Sequence, residues 1–144
     1  MIIEEVKLTY KNKISAKHRH KITSSKDAYE ILLKTWDQDQ IELLEECKAL
    51  FLDRQLRVMS IASISKGGFS GTVVDLRIVF AIALKRRADS LILAHNHPSG
   101  NLRPSDADIR LTRSFQDAGN IMGILLQDHL VVTKEAFTSI VSEL

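Results

Sequence analysis

His95 and His97 stand two positions apart at the end of the apolar run Leu91-Ile92-Leu93-Ala94, and Ser105 and Asp108 follow after Pro98-Ser99-Gly100. Two imidazoles, a hydroxyl and a carboxylate in so short a span form the inventory of a catalytic zinc site that keeps one position open for water. Side chains alternate along a strand, so His95 and His97 share a face and Asn96 points away. Ser105 and Asp108 are three apart, which places them on one face of a helix. Asp108 then supplies the third protein ligand and a water takes the fourth place. Ser105 is too weak a ligand to compete, and its hydroxyl suits donation to the oxygen that becomes negative during attack. The water needs a carboxylate that takes its proton without binding the metal. Glu45 is the candidate, because it begins an apolar strand where a solvated acid would be unusual. Glu46, on the opposite face, is the alternative. Two histidines and one aspartate also accept iron or manganese, so the ligands alone do not name the metal.

Simpler roles fit some of these residues equally well. Ser-x-x-Asp after a proline is also a helix N-cap pattern close to a capping box, and a capping serine can still turn its hydroxyl inward. The second His-x-His, His18-Arg19-His20, is flanked by lysines with no acid at a useful distance, and reads as a solvated basic face. Asp128 and His129 could orient a metal ligand or simply pair structurally. The Gly67-Gly68-Phe69-Ser70-Gly71 segment is a loop that either flanks a substrate groove or only connects. Arg77 near a helix start gains nothing from the dipole, which points to a salt bridge or an anion contact. Trp36 and Phe51 are core residues.

These side chains need a strand to carry the histidines and a helix to carry Ser105 and Asp108. Residues 90–94 are the strand. Residues 105–118 are the helix, stopped by Gly119-Asn120. Upstream, alternation over residues 2–10 predicts a first strand, residues 11–21 a basic exposed loop, and residues 26–36 a helix capped from Thr23-Ser24-Ser25. A break at 37–40 leads to a helical turn at 41–44. Residues 45–53 read as a buried strand that reverses at 53–56 into a second strand, 57–65. Residues 74–87 have helical periodicity, with Asp75 as N-cap and Lys85-Arg86-Arg87 at the end where cations suit the dipole. Residues 121–126 and 129–133 read as two further strands, while 134–144 is ambiguous. Alternating strands and helices predict an α/β fold with a mixed sheet flanked by helices.

The chain has 144 residues, a length that suits one domain over 1–144 with a full hydrophobic core. Within it, residues 1–37 form an N-terminal strand, basic loop and helix ahead of a core at 38–144. The net charge of +2 neither requires nor excludes nucleic acid. Cys47 is the single cysteine, so neither an internal disulfide nor a cysteine-rich zinc site can form. The first residues lack the layout of a signal peptide, and the apolar runs are too short to cross a bilayer. The expectation is a cytoplasmic protein without a membrane partner. An exposed sheet edge would allow a homodimer.

The ordered set His95-x-His97, then Ser105-x-x-Asp108, with an upstream Glu, resembles the JAMM (MPN-plus) metallopeptidase motif. His95-Asn96-His97-Pro98-Ser99-Gly100, with Pro104-Ser105 and the later Asp128-His129, is similar to the RadC branch of that superfamily, over roughly residues 38–133. The resemblance implies a cytidine-deaminase-like JAB/MPN domain, one zinc ion (Zn2+) held by His95, His97 and Asp108, a hydroxyl donor in Ser105 and a general acid/base in Glu45. Cys47 stands where the family has an aromatic, and Asp75-Leu76-Arg77-Ile78 replaces its His-Pro-Arg-Glu. Residues 1–37 lack the helix-hairpin-helix region of full-length RadC proteins. Two classes of function follow. One is a zinc hydrolase attacking an amide or isopeptide bond of a peptide or protein. The other is a DNA-repair-associated module that binds nucleic acid and carries a structural or vestigial zinc site; its support is the family's traditional link to repair and the basic residues Lys11 to Lys21, which no aromatics interleave.

Overall fold

The protein is described by a computed structural model covering residues 1–68 and 71–144. After a 3-10 turn at Ala16–His18, helix α1 (Ser25–Thr35) starts at Ser24, whose hydroxyl accepts the Asp27 N–H. Hydrogen-bonded turns from Asp37 to Leu44 lead into β1 (Glu46–Leu52), which is buried along its whole length. The chain reverses at Asp53 into β2 (Val58–Lys66). Helix α2 (Leu76–Lys85) starts at Asp75, whose carboxylate accepts the Arg77 N–H and pairs with the Arg77 guanidinium at 2.9 Å. Then come β3 (Ser90–Asn96), α3 (Asp106–Met122), β4 (Leu125–Val132), the short β5 (Phe137–Ser139) and a 3-10 turn at Val141–Glu143.

The five strands form one mixed sheet in the order β2-β1-β3-β4-β5. Among the described residues, only β3 and β4 pair in parallel, and α3 is the crossover between them. Helices cover both faces. On one, Leu32 and Trp36 of the α1 region pack with Leu50, Leu52, Ile92, Ala94, Leu130 and Val132. On the other, Val79, Phe80 and Ala83 of α2 and Phe115 of α3 pack with Cys47, Ala49, Phe51, Leu91 and Leu93. Each fully buried Leu or Phe contributes roughly 1.5–3 kcal/mol of transfer free energy. The consequence for the site is parity: odd residues of β1 and β3 face α2 and α3, and even residues face α1.

Several expectations need correction. Residues 2–10 form no strand, because their side chains have no surface to cover: Ile2, Val6 and Leu8 are fully or nearly fully exposed. Helix α3 does not stop at Gly119-Asn120. It runs to Met122 and ends at Gly123, which has the left-handed φ of 70°. Gly119 is a packing residue inside the helix, where a Cβ would lie 2.4 Å from the Ile124 carbonyl oxygen. The two strands expected over 121–133 are one, β4, with Ile121 and Met122 still helical. Asp128 does not break β4, because its carboxylate is satisfied by the Ser25 and Ser139 hydroxyls at 2.6 and 2.7 Å and by the His129 N–H. An irregular register where Leu91 pairs Leu126 and Ile92 pairs Asp128 absorbs Gln127. Strand β3 extends to Asn96, so His95 lies within it. Of the glycine segment, Phe69 and Ser70 lie outside the described residues. In the basic stretch, Arg19 is bound to Asp53 at 2.9 Å. Among the described residues, no helix is long and apolar enough to cross a membrane.

Candidate metal centre

The site forms where the N-terminal end of β1, the C-terminal end of β3 and the start of α3 meet. His95 pairs with Cys47 across the β1–β3 ladder, and its parity sends the imidazole toward α3. Asn96 points the other way. Its carbonyl accepts the Glu46 N–H at 2.7 Å, and its amide donates to the Ile41 and Leu44 carbonyls. Asn96 therefore fixes the turn that leads into Glu45. The Glu45 backbone is held from the other side by Gly68 O and by the N–H of Gly67. A Cβ on Gly67 would fall 1.6 Å from Gly71 O, so only glycine fits this loop.

The donor atoms converge. His95 Nε2 and His97 Nε2 are 3.0 Å apart. Asp108 Oδ1 is 3.1 Å from His95 Nε2, and Asp108 Oδ2 is 3.3 Å from His97 Nε2. Ligand atoms at two corners of a tetrahedron around one ion, with bonds of ~2.0–2.1 Å, are roughly 3.3 Å apart. The separations are close to that value, with one Asp108 oxygen against each ring, so the set is of a size to hold one small divalent cation. Glu45 offers a carboxylate oxygen within 4.8 Å of both imidazole nitrogens. Its position is looser than that of Asp108, which touches both rings.

Outer partners settle which ring nitrogens face inward. His97 Nδ1 lies 2.6 Å from the Asn101 carbonyl, which can only accept, so Nδ1 carries the proton and Nε2 is left with its lone pair. His95 Nδ1 lies 2.9 Å from His129 Nε2. Ser105 caps α3: its hydroxyl accepts the Asp108 N–H at 3.0 Å, and its own N–H donates to Asp108 Oδ2 at 2.8 Å. The capping and the inward-facing readings of these two residues thus hold together, since the cap uses the lone pairs of Ser105 and leaves its hydroxyl proton free. Glu45, His97, Pro98, Ser99, Ser105 and Asp108 line an open cleft of about 370 Å3.

Electrostatics favour a cation here. Burial opposes ionisation of Asp108, but its close contacts with the His95 and His97 rings outweigh it and hold the carboxyl far below the usual carboxylate range. Burial also works against protonation of His97, yet its bonds to Asp108 and to the Asn101 carbonyl raise it above the ordinary imidazole value. Burial, reinforced by the neighbouring His95, pushes His129 well down, so it is neutral. Burial first, then the charges of Glu45, Glu46 and Asp108, push the Cys47 thiol up to about 12. It stays protonated at neutral pH and is no thiolate ligand.

The structure thus brings Glu45, His95, His97, Ser105 and Asp108 together. Glu46 faces the α1 side and accepts from the Ser63 hydroxyl. Arg77 is occupied by Asp75. Sequence reasoning passed over Thr112 and Asn101, which hold histidines from behind. The available signal for Thr112 is its spacing, one helical turn beyond Asp108; Asn101 acts through its backbone and has none.

A family model described as the RadC-like JAB domain matches residues 22–144. The chain belongs to that family. The match begins at Ile22, so the RadC-like JAB domain takes in α1 as well as the sheet. A UPF0758 protein of Flavobacterium johnsoniae is 46% identical over 125 residues, covering 85% of this chain and 52% of that protein. UPF0758 proteins of Porphyromonas gingivalis and Clostridium beijerinckii are 39% and 36% identical, over 79% and 83% of the chain and 49% and 51% of their own lengths. The chain spans about half the length of the curated relatives it matches.

Proposed function

We propose that this RadC-like JAB domain is a zinc-dependent hydrolase that cleaves an amide or isopeptide bond in a peptide or protein. The observation that carries the reading is the meeting of His95 Nε2, His97 Nε2 and the Asp108 carboxylate within 3.0 to 3.3 Å, beside an open cleft that Glu45, His97 and Asp108 line. His95, His97 and Asp108 hold the ion. Zinc bound there supplies Lewis acidity, lowering the pKa of water toward about 7 and polarising a carbonyl. Glu45 takes the proton of the attacking water and returns it to the leaving amine, so one carboxylate serves as base and then acid. The Ser105 hydroxyl donates to the oxygen on which negative charge grows. The backbone clamps on Glu45 from Gly67 and Gly68 keep its carboxylate in reach of that cycle.

The test begins with metal analysis of untagged protein purified without chelators, which is expected to give one zinc per chain. Glu45→Gln should retain the zinc and lose hydrolysis by about 10²- to 10⁴-fold, the usual worth of a positioned acid/base. A protein that takes up no metal at any pH, or a Glu45→Gln variant with undiminished turnover, sinks the reading.

A further inference from the structure

Behind His95 lies a buried polar chain that the hydrolytic reading does not use. His95 Nδ1 is 2.9 Å from His129 Nε2, His129 Nδ1 is 2.7 Å from Thr112 Oγ1, and Thr112 Oγ1 is 2.7 Å from the Asp108 carbonyl oxygen. His129 and Thr112 are fully buried and His95 nearly so, so water does not satisfy these atoms. The directions of the bonds follow from the far end. A carbonyl can only accept, so the single Thr112 hydroxyl proton points at Asp108 O. Thr112 Oγ1 must then accept from His129, which places the His129 proton on Nδ1. His129 is fully buried and, among the described residues, its ring bonds only Thr112 and His95, with no carboxylate to balance a second proton, so its Nε2 lone pair accepts from His95. His95 is therefore protonated at Nδ1, and its Nε2 lone pair faces His97 and Asp108. Reversing any one bond leaves two protons or two lone pairs facing each other in a dry site.

We propose that Thr112 and His129 are positioning residues that fix the tautomer and ring orientation of His95, through a relay anchored on the backbone of Asp108 itself. The relay joins β3, β4 and α3, so His95 and Asp108, two of the three proposed ligands, are linked from behind as well as across the site. Thr112 sits one turn after Asp108 in α3, and its bond to the Asp108 carbonyl couples the pitch of that turn to the His95 ring. His97 needs no such relay, because the Asn101 carbonyl orients it directly. The inference rests on the metal-centre reading, since a cation is what the inward lone pairs of His95 and His97 face; the direction of the Thr112–His129 bond stands without it.

Two measurements separate the relay from that reading. Imidazole nitrogen NMR of the wild-type chain, metal-free and zinc-loaded, should show His129 protonated at Nδ1 in both states and His95 Nδ1 protonated with zinc present. Zinc competition titrations should show Thr112→Val, which keeps the shape and removes the hydroxyl, weakened about 10- to 100-fold. Thr112→Ser, which restores the hydroxyl, should bind like wild type; a purely packing role for Thr112 would not give that rescue. The relay is overturned by His129 protonated at Nε2, by Thr112→Val binding zinc as tightly as wild type, or by failure of Thr112→Ser to restore affinity. Should Thr112→Val not fold, the wild-type tautomer and the serine variant still decide. A wild-type chain that binds no zinc refutes the metal-centre reading, and the His129 tautomer then decides the relay by itself.

Discussion

Asp53 closes one end of β1 and Glu45 stands at the other, and the two ends surround their acids with different partners. Asp53 accepts the Gln55 and Arg57 N–H groups on one oxygen and the Arg19 and Arg57 guanidiniums on the other, all at 2.8 to 3.0 Å. Its partners are permanently charged and its lone pairs are used. At the opposite end, Asp108 meets two imidazole rings in place of guanidiniums, and Glu45 opens on a cleft. A saturated carboxylate holds the β1–β2 turn and the basic N-terminal segment in place. An unsaturated cluster of soft-charged partners is able to bind and exchange. The lesson is that carboxylate chemistry is set by whether its neighbours can release it.

The contrast is breakable. Asp108→Asn should have the largest effect: the amide oxygen can still cap α3, but the loss of charge lowers metal affinity by more than about 100-fold, beyond what loss of an outer partner costs. Isothermal titration with zinc checks it, and near-wild-type affinity would erase the distinction. Asp53→Asn should act in the other column. It leaves Arg19 and Arg57 without their counter-charge, costs about 2–3 kcal/mol in urea unfolding, and leaves metal content unchanged.

Acid should separate the two ends. Burial opposes ionisation of Asp53, but its bonds to Arg57, Arg19 and Gln55 hold its pKa below 3.8. A depressed folded pKa means that its stabilisation is complete above about pH 4 and is lost as pH falls further. A proton competes with the metal for His97, whose affinity for protons is raised above the ordinary value of 6.5. Metal should therefore leave as pH falls through about 6.5 and below, while Asp53 stays ionised down to about pH 4 and the fold remains intact. Metal content and circular dichroism measured together at pH 5 would show bound metal lost and helix retained; simultaneous loss of both would break the comparison. The smallest effect belongs to Glu46→Gln, which keeps an acceptor for Ser63 and should shift stability by less than about 0.5 kcal/mol without touching hydrolysis.

Local pattern carried much of the architecture. The Ser24 cap, the Asp75 cap, the buried β1 and the apolar β3 all follow from composition and periodicity, and the structure has them. The errors lie where a tertiary contact overrides the local signal. Gly119-Asn120 looks like a helix stop, but Gly119 is there so that β4 can approach the helix. Asp128 looks like a strand break until Ser25 and Ser139 arrive from distant segments to bond it. Ile2, Val6 and Leu8 alternate like a strand but stay exposed, with no strand partner among the described residues.

The sequence by itself determined that His95 and His97 share a strand face and that Ser105 and Asp108 share a helix turn, because both relations depend only on backbone periods. It also determined that cysteine takes no part in a metal cluster of its own kind. Only the tertiary structure decided that Glu45 rather than Glu46 enters the cleft, since that choice rests on the β1–β3 register and on Asn96 bonding the backbone of Glu46. It alone joined Thr112 and His129 behind His95, because contacts between a helix and two strands have no period along the chain from which to read them.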